Sequence, residues 1–244
     1  MLDTRQTKES NKKRSTSYKK TASTAKSSGH KTEVILAESL GGSVIHGTQK
    51  PDVVLPKYGN TSVKKGKKLQ LSLYTIERLE KDLGPNNPYV ICARDQKDFY
   101  SDRHFNNGNL AKSLNQKAEQ SANNLKDWLN NDVENFIYLL NYVLTNFGEV
   151  NYLADLFETN NKLVYMTKMT DVLELIKKAK PIAKVTPSGL RLSISANTSK
   201  GRRAIFSLEV RSNIPHYKGM LFKAESKWFF DIIRQSSKCQ SINL

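Results

Sequence analysis

The sequence predicts a mixed α/β (α+β) protein in which a central mixed sheet is flanked by helices. Residues 69–73 alternate apolar and polar side chains with a period of two, and residues 190–195 and 204–210 repeat that strand pattern. Between them, residues 110–147 carry apolar side chains at helical spacing. At 244 residues and 38% hydrophobic content, the chain is long and apolar enough to bury a core.

The charge of the chain points to a polyanionic partner. The formal net charge is +16 and the sequence pI is about 9.7, and no basic amphipathic anchor or lipidation signal favours a membrane over nucleic acid. The longest apolar run, around residues 136–140, is far shorter than a membrane span. Two cysteines, Cys92 and Cys239, cannot form a disulfide framework, and the polar N-terminal stretch is unlike a signal peptide. A cytoplasmic protein is therefore expected.

The first predicted part is a basic tail at residues 1–28. Eight lysines and arginines lie there among Ser, Thr and Asn, with Asp3 and Glu9 as the acidic residues. With almost nothing apolar to bury, the tail is expected to be disordered when free. It is either an arm that follows phosphates or a solubilising tail, and the sequence favours neither.

Residues 29–108 are predicted to form a catalytic core with a metal-binding hairpin. A helix at residues 33–40 ends at two glycines, and a strand at 43–46 follows. We expect the strands at 52–56 and 68–74 to pair so that Asp52 lies opposite Gln70, with a turn at residues 59–62 that is centred on Thr61. This register would gather Asp52, Gln70, Ser72 and Lys68 at one edge as a divalent-metal site, although an ordinary hairpin explains the same pattern.

The remainder of the chain divides into a helical subdomain at residues 109–181 and a C-terminal part at 182–244. Before the subdomain, residues 76–83 are predicted as a helix and 89–93 as a strand. The subdomain should hold helices at 110–129, 132–147, 152–157 and 171–178. The C-terminal part should hold strands at 189–195, 204–210 and 220–223.

Two polar, basic connections in the C-terminal part are candidates for contacts with DNA. Arginine, lysine, asparagine and serine are the side chains that pair with bases and phosphate oxygens in a major groove. For any one of these residues, a solvated loop is the simpler explanation. The candidate residues are Arg191, Lys200, Arg202, Arg203, Arg211, Ser212, Asn213, His216, Tyr217 and Lys218.

Pro51-Asp52 followed by Gln70-Leu71-Ser72 resembles the PD-(D/E)xK nuclease motif. Further landmarks resemble, in order, those of the small HinP-type restriction endonucleases, which are similar to MspI. The resemblance covers residues 29–232, outside the basic tail. The landmarks are Gly29-His30-Lys31-Thr32-Glu33, Pro51-Asp52, Leu69-Gln70-Leu71-Ser72, the helical run 136–157, Thr186-Pro187-Ser188-Gly189, Met220-Leu221-Phe222-Lys223 and Phe229-Phe230-Asp231-Ile232.

This resemblance implies a type II restriction endonuclease that cuts double-stranded DNA at a short palindrome, most simply of four base pairs, with Mg²⁺. Asp52 would be the main metal ligand, Gln70 the second through its amide oxygen, and Glu33 an outer carboxylate. A lysine is expected where Ser72 stands, and Lys68 is the candidate to supply that charge. The loop from Arg211 to Lys218 would read bases.

The partners that the resemblance implies are DNA and, as a genetic neighbour only, a cognate DNA methyltransferase. A homodimer matches a palindrome most simply, yet some enzymes of this group bind as monomers, and the sequence leaves both open. Glu33 has a second explanation, since a glutamate at a helix start is favoured by the helix dipole.

Two other classes of function stay open. One is a DNA-binding protein with a degenerate nuclease site, for which Gln70 and Ser72 in place of an acid and a lysine are the argument. The other is a basic RNA-binding protein, which the tail favours. The sequence has no Ser-His-Asp order, zinc-spaced cysteines or phosphate-binding glycine-rich loop.

Overall fold

Two β-sheets and the helices packed on them form the part of the chain that the computed structural model describes, namely residues 30–46, 51–102, 109–156, 162–187, 190–211 and 219–244. These residues hold seven helices and eleven strands, so the predicted mixed α/β class is confirmed. The predicted tail at 1–28 lies outside the described residues. In the described part, no helix is both long and apolar enough to cross a membrane.

The strands follow one another through both sheets. In chain order they are β1 (Ser43–Val44), β2 (Val53–Leu55), β3 (Gly59–Lys64), β4 (Lys68–Thr75), β5 (Tyr152–Asp155), β6 (Leu163–Lys168), β7 (Ile182–Val185), β8 (Leu192–Thr198), β9 (Gly201–Arg211), β10 (Gly219–Glu225) and β11 (Gln240–Asn243). The helices are α1 (30–39), α2 (Ile76–Leu83), α3 (Pro88–Asp102), α4 (Asn109–Asn131), α5 (Val133–Thr145), α6 (Met169–Lys178) and α7 (Ser226–Arg234).

The six-stranded sheet has the order β1-β2-β3-β5-β6-β11, and the five-stranded sheet has the order β4-β10-β9-β8-β7. Each pairing is antiparallel except that of β3 with β5, which is parallel. The three predicted folded parts are thus interleaved, because β3 and β4 of the first part pair with strands of the other two. The chain passes from one sheet to the other at the turn between β3 and β4.

The inner face of the five-stranded sheet carries the main core. One row across it runs Leu192, Leu208, Phe222, Ser72, and all four side chains are buried. Aromatic rings from the helices meet this face, since the Phe206 ring lies within 6 Å of rings on α5 and α7. Burial of this apolar face, at about 25 cal/mol per Å², holds the helices on the sheet.

The outer face of the same sheet is polar. The neighbouring row runs Lys184, Ser193, Ser207, Lys223 and Gln70 through the successive strand registers. Each of these side chains is exposed or half-buried. A β-bulge between Phe222 and Lys223 separates the two rows at β4.

Three of the local predictions are wrong. The strand at 52–56 does not pair with the one at 68–74: a tight turn at residues 56–58 pairs β2 with β3 instead, with Val53 opposite Thr61. Residues 152–157 were expected to be helical, but Tyr152–Asp155 is the central strand β5, and a short apolar run buried on both faces has no distinguishing period.

The third error concerns residues 89–93, which lie in helix α3 rather than in a strand. Pro88 opens this helix, a position that its fixed φ and missing N–H favour. Tyr89, Val90, Cys92 and Ala93 are all completely buried. Their spacing fits one face of a helix as well as it fits a short buried strand.

The predicted helices at 76–83, 110–129, 132–147 and 171–178 are confirmed. Helix caps explain two of their boundaries: Thr75 Oγ1 accepts from Arg78 N at 3.3 Å, and Asp132 Oδ1 accepts from Glu134 N at 2.9 Å. Helix α5 ends at Asn146, whose left-handed backbone (φ 51°) stops the helix. The predicted strands at 43–46, 204–210 and 220–223 are also confirmed, as β1, β9 and β10.

Candidate active site

The carboxylate of Asp52 is held in place by the neighbouring strand of its hairpin. Its Oδ2 atom accepts hydrogen bonds from Val63 N at 2.6 Å and from Ser62 Oγ at 2.9 Å. Asp52 N in turn donates to Thr61 O at 3.0 Å. These bonds fix the carboxylate at the start of β2, directly opposite the far half of β3.

Lys64, the last residue of β3, brings a positive charge to this carboxylate. Its Nζ lies 3.2 Å from Asp52 Oδ2 and 3.2 Å from Val63 O. The two side chains are only 18% and 24% exposed, so the pair is partly shielded from water. Such shielding strengthens their attraction compared with a fully exposed ion pair.

A surface pocket opens beside this pair and joins the two sheets. Its walls come from α1, from the end of β3 and from the start of β4. The lining residues are Thr32, Glu33, Val63, Lys64, Lys65, Lys68, Leu69 and Gln70. Three of the residues singled out from the sequence, Glu33, Lys68 and Gln70, therefore share one pocket with Lys64.

The predicted arrangement of the second motif segment differs from the structure. Asp52 does not pair with Gln70, because the strand opposite Asp52 is β3 and not β4. Gln70 and Ser72 also do not project from one face: the bulge makes Gln70 the partner of Lys223 and Ser72 the partner of Phe222. Gln70 faces outward, whereas Ser72 is buried in the core, and its hydroxyl has no hydrogen-bond partner among the residues that the structure describes.

Lys64 and Ser62 are the site residues that sequence reasoning missed. Ser62-Val63-Lys64 follows Pro51-Asp52 and stands in the hairpin where the second motif segment would be expected. The sequence signal that could have found them is Gly59. A glycine can adopt a positive φ, as Gly59 does at 66°, and such a residue is consistent with a turn just before it as well as with a turn after it. Choosing the earlier turn pairs Asp52 with Ser62 and brings Lys64 alongside.

The oxygen atoms around the pocket suit a hard cation. Among the described residues, no cluster of three or more His, Cys, Asp or Glu side chains could hold a metal ion. Mg²⁺, however, usually takes one or two protein carboxylates and completes its shell with water and substrate phosphate. From the residues that the structure describes, the hydrogen bonds to the Asp52 carboxylate fall on Oδ2, so Oδ1 is the atom with which it would bind a cation. Glu33 and Gln70 supply a carboxylate and an amide oxygen at the pocket.

Lys68 has a weaker link to the site than Lys64. Its side chain is 76% exposed, and its Nζ lies 3.9 Å from Glu225 Oε1.

Glu33 Oε2 lies 3.4 Å from His30 Nδ1, and the His30 ring is 5.7 Å from the ring of His46. His30 therefore borders the carboxylate that α1 contributes, and His46 lies next to His30.

The predicted DNA-contact residues are spread over two surfaces. Arg191 lies on the outer sheet face, with Nε 3.2 Å from Glu209 Oε2. Lys200 lies in the turn between β8 and β9, Arg202 donates to Lys180 O at 3.0 Å, and the Arg203 guanidinium lies 5.5 Å from the centre of the Trp228 ring. The remaining predicted contacts lie outside the described residues. They are the side chain of Arg211 and the residues Ser212, Asn213, His216, Tyr217 and Lys218.

No known protein family and no curated protein matches this chain.

Proposed function

We propose that this protein is a Mg²⁺-dependent endonuclease of double-stranded DNA whose site follows the PD-(D/E)xK plan. In this proposal Ser62-Val63-Lys64 takes the place of the second motif segment that the sequence had assigned to Gln70-Leu71-Ser72. The observation that carries the proposal is the contact of Asp52 with Lys64, which lines a pocket together with Glu33 and Gln70. The assignment to Gln70-Leu71-Ser72 has a serine at the motif's lysine position, whereas Ser62-Val63-Lys64 has a lysine there.

Each residue has a role that its chemistry supports. Asp52 would hold Mg²⁺ through Oδ1, with Gln70 or Glu33 contributing a second oxygen. When bound, the ion would polarise the scissile phosphate and lower the pKa of a coordinated water. Lys64 would place its ammonium beside the attacking water and the phosphate oxygen, where it stabilises the negative charge that develops during hydrolysis. Ser62 would hold Asp52 in orientation through its hydroxyl.

Duplex DNA is the proposed substrate because of the charge and of the resemblance of the sequence to small restriction enzymes. The net charge of +16 suits a phosphodiester polyanion. A short palindrome read partly by the loop from Arg211 to Lys218 remains part of the proposal, as do a cytoplasmic location and a methyltransferase that protects the host DNA. Either a monomer or a homodimer is compatible with it.

Incubation of the full chain with plasmid DNA and Mg²⁺ tests the function directly. We expect discrete bands that disappear when EDTA is added and when Lys64 is replaced by Ala. Smearing of the DNA would indicate a nuclease without sequence specificity. Uncut plasmid at every protein concentration would contradict the proposal.

A second candidate is a DNA-binding protein that has lost hydrolysis. Ser62 favours it, because a serine stands where the motif carries an acid and its hydroxyl is already bonded to Asp52. This candidate predicts tight duplex binding with no cleavage in either Mg²⁺ or Mn²⁺. A gel-shift assay beside the plasmid assay separates the two functions, and preferential binding of RNA would instead support an RNA-binding protein.

A further inference from the structure

A second surface depression lies between the β8–β9 turn and helix α7. Asp231 fixes the turn to the helix, since its Oδ2 accepts from Ser199 N at 2.8 Å and its Oδ1 from Ser199 Oγ at 2.7 Å. Gln235 Nε2 donates to Oδ2 at 2.9 Å. The carboxylate is thus surrounded by neutral donors that hold the depression in shape. The lining residues are Ser199, Lys200, Lys227, Trp228, Asp231, Arg234 and Gln235.

Cations surround the half-buried ring of Trp228 at this depression. Lys227 Nζ lies 4.8 Å from the ring centre and Arg203 Cζ lies 5.5 Å from it. Both distances are within the range of a cation–π attraction. Trp228 therefore keeps two positive charges near the depression, and the exposed Lys200 adds a third.

The same helix is bonded to the turn that leads out of the candidate active site. Ser226, the first residue of α7, is completely buried, and its hydroxyl donates to Gly66 O. Its backbone N–H donates to Lys67 O at 3.2 Å. The β3–β4 turn begins directly after Lys64, so this segment connects the Asp52–Lys64 pair to the first residue of the helix that borders the second depression.

This segment carries a concentration of positive charge. We call the exposed residues Lys65, Lys67, Lys227, Lys200 and Arg203 the basic strip. Among the described residues, the acidic side chains beside it are Glu225, which lies 3.9 Å from Lys68, Asp231, which is bonded to Ser199, and Glu33, which lines a pocket together with Lys65. Five cations against these three carboxylates leave a net positive surface, and its length beyond a single pocket suits a chain of anions.

We propose that the basic strip binds the phosphates of duplex DNA beyond the scissile bond, so that the duplex runs from the candidate active site over the β3–β4 turn to the depression beside α7. The inference rests on the proposed function. Lysines on a turn and a helix end contact phosphates without reading bases, and the strip therefore adds affinity equally for cognate and random DNA.

The test uses the full chain in EDTA, with Lys67, Lys200 and Lys227 replaced together by Gln. None of these three residues lines the candidate active site. Binding of a fluorescent duplex is measured over a series of salt concentrations. The slope of log K against log salt should become shallower by about 2 to 3, since each phosphate contact contributes about 0.9.

A matched control removes the same charge elsewhere. Lys57, Lys81 and Lys112 are exposed lysines on the β2–β3 turn, α2 and α4, and their triple Gln variant should keep the wild-type slope. Equal slopes for the two triple variants would overturn the inference, because the lysines would then act only through net charge. Tighter binding of duplex RNA than of duplex DNA would overturn the assignment of the partner.

The outcomes distinguish this inference from the proposed function. In Mg²⁺ at low salt, the strip variant should cut plasmid more slowly than wild type at limiting protein, and the difference should close at saturating protein. A wild-type protein that binds DNA with the expected slope but never cuts would contradict only the nuclease proposal. A variant that cuts normally and keeps the full salt slope would contradict only the strip.

Discussion

Lys64 Nζ lies 3.2 Å from Asp52 Oδ2 across the β2–β3 hairpin, although a turn separates the two residues in the chain. The carboxylate also accepts the Val63 N–H and the Ser62 hydroxyl, so its orientation does not depend on the lysine alone. Changes at Lys64 can therefore be separated from changes in the position of Asp52. That separation makes the pair a practical test of the candidate site.

Replacing Lys64 by Ala should slow single-turnover cleavage in Mg²⁺ by about a hundredfold or more, since removal of one charge-stabilising donor typically costs that much. DNA affinity should change little. Lys68→Ala is the matched control, because Lys68 is largely exposed and pairs with Glu225. Equal rates for both variants would show that Lys64 is not the catalytic lysine.

Asp52→Asn should abolish cleavage and leave the fold intact. The amide oxygen can still accept the Val63 N–H, whereas the neutral side chain binds Mg²⁺ poorly. Thermal unfolding should give a Tm near that of the wild type, and duplex binding in EDTA should persist. Cleavage at the wild-type rate by this variant would remove Asp52 from the site.

Ser72 offers a test of the corrected register. Within the described part of the chain its buried hydroxyl has no hydrogen-bond partner, so Ser72→Ala should leave the free energy of unfolding unchanged or raise it by up to about 1 kcal/mol. Ser72→Lys would bury an unpaired charge and should cost about 3 kcal/mol or more. Urea unfolding measures both. If Ser72→Lys instead raised the cleavage rate, the original assignment of the catalytic strand would be restored.

Removal of one partner of the ion pair between Arg234 and Asp155 should strongly destabilise the fold. Arg234 Nε lies 2.7 Å from Asp155 Oδ2, whose side chain is 2% exposed. Arg234→Met leaves that carboxylate buried and should cost about 3 kcal/mol. The double variant with Asp155→Asn should recover part of the loss, and additive effects in this cycle would show that the pair is uncoupled.

Stability should fall at alkaline pH because the core buries ionisable groups in their neutral forms. Burial raises the pKa of the Cys92 thiol from 9.0 to about 12 and that of Tyr74 from 10.0 to about 12. Above pH 9 the unfolded chain releases these protons before the folded chain does, so the stability present below pH 9 is lost as the pH rises toward 12.

Urea unfolding of wild type and Cys92→Ala at a series of pH values measures this effect. The Cys92→Ala variant should lose less stability than wild type between pH 9 and pH 12, since each unit of pKa difference corresponds to about 1.4 kcal/mol. Parallel pH curves for the two proteins would show that Cys92 makes no contribution.

The helices and strands that were predicted correctly are those whose sequence has an unambiguous hydrophobic period or a helix cap. The helices that follow Thr75 and Asp132 and the alternating strand β9 follow from local patterns. The partner of Asp52 did not, because two turns were compatible with the sequence and only contacts between distant segments choose between them. Strand β5 was missed for a related reason: burial on both faces removes the alternation that reveals a strand.

The candidate site was predicted in its composition more than in its pairing. Asp52, Glu33 and Gln70 were singled out for their oxygen atoms, which is a property of the side chains alone. Ser72 was assigned to the same face as Gln70 by simple alternation, and a bulge set by β10 reverses that assignment. The sequence near residue 72 does not predict this bulge, because the bulge arises from pairing with β10, which is about 150 residues further along the chain.

Among the strands of the described residues, β4 lies at the edge of its sheet and pairs with β10 alone. Gln70 therefore takes up its position only when Lys223 is available to pair with it. During synthesis on the ribosome, the Asp52–Lys64 hairpin can form early, whereas β4 can pair only after β10 has been synthesised. For the nuclease proposed here, a prematurely terminated chain would lack the fixed second wall of its site, and an interrupted translation product would be harmless to the DNA of the cell that makes it.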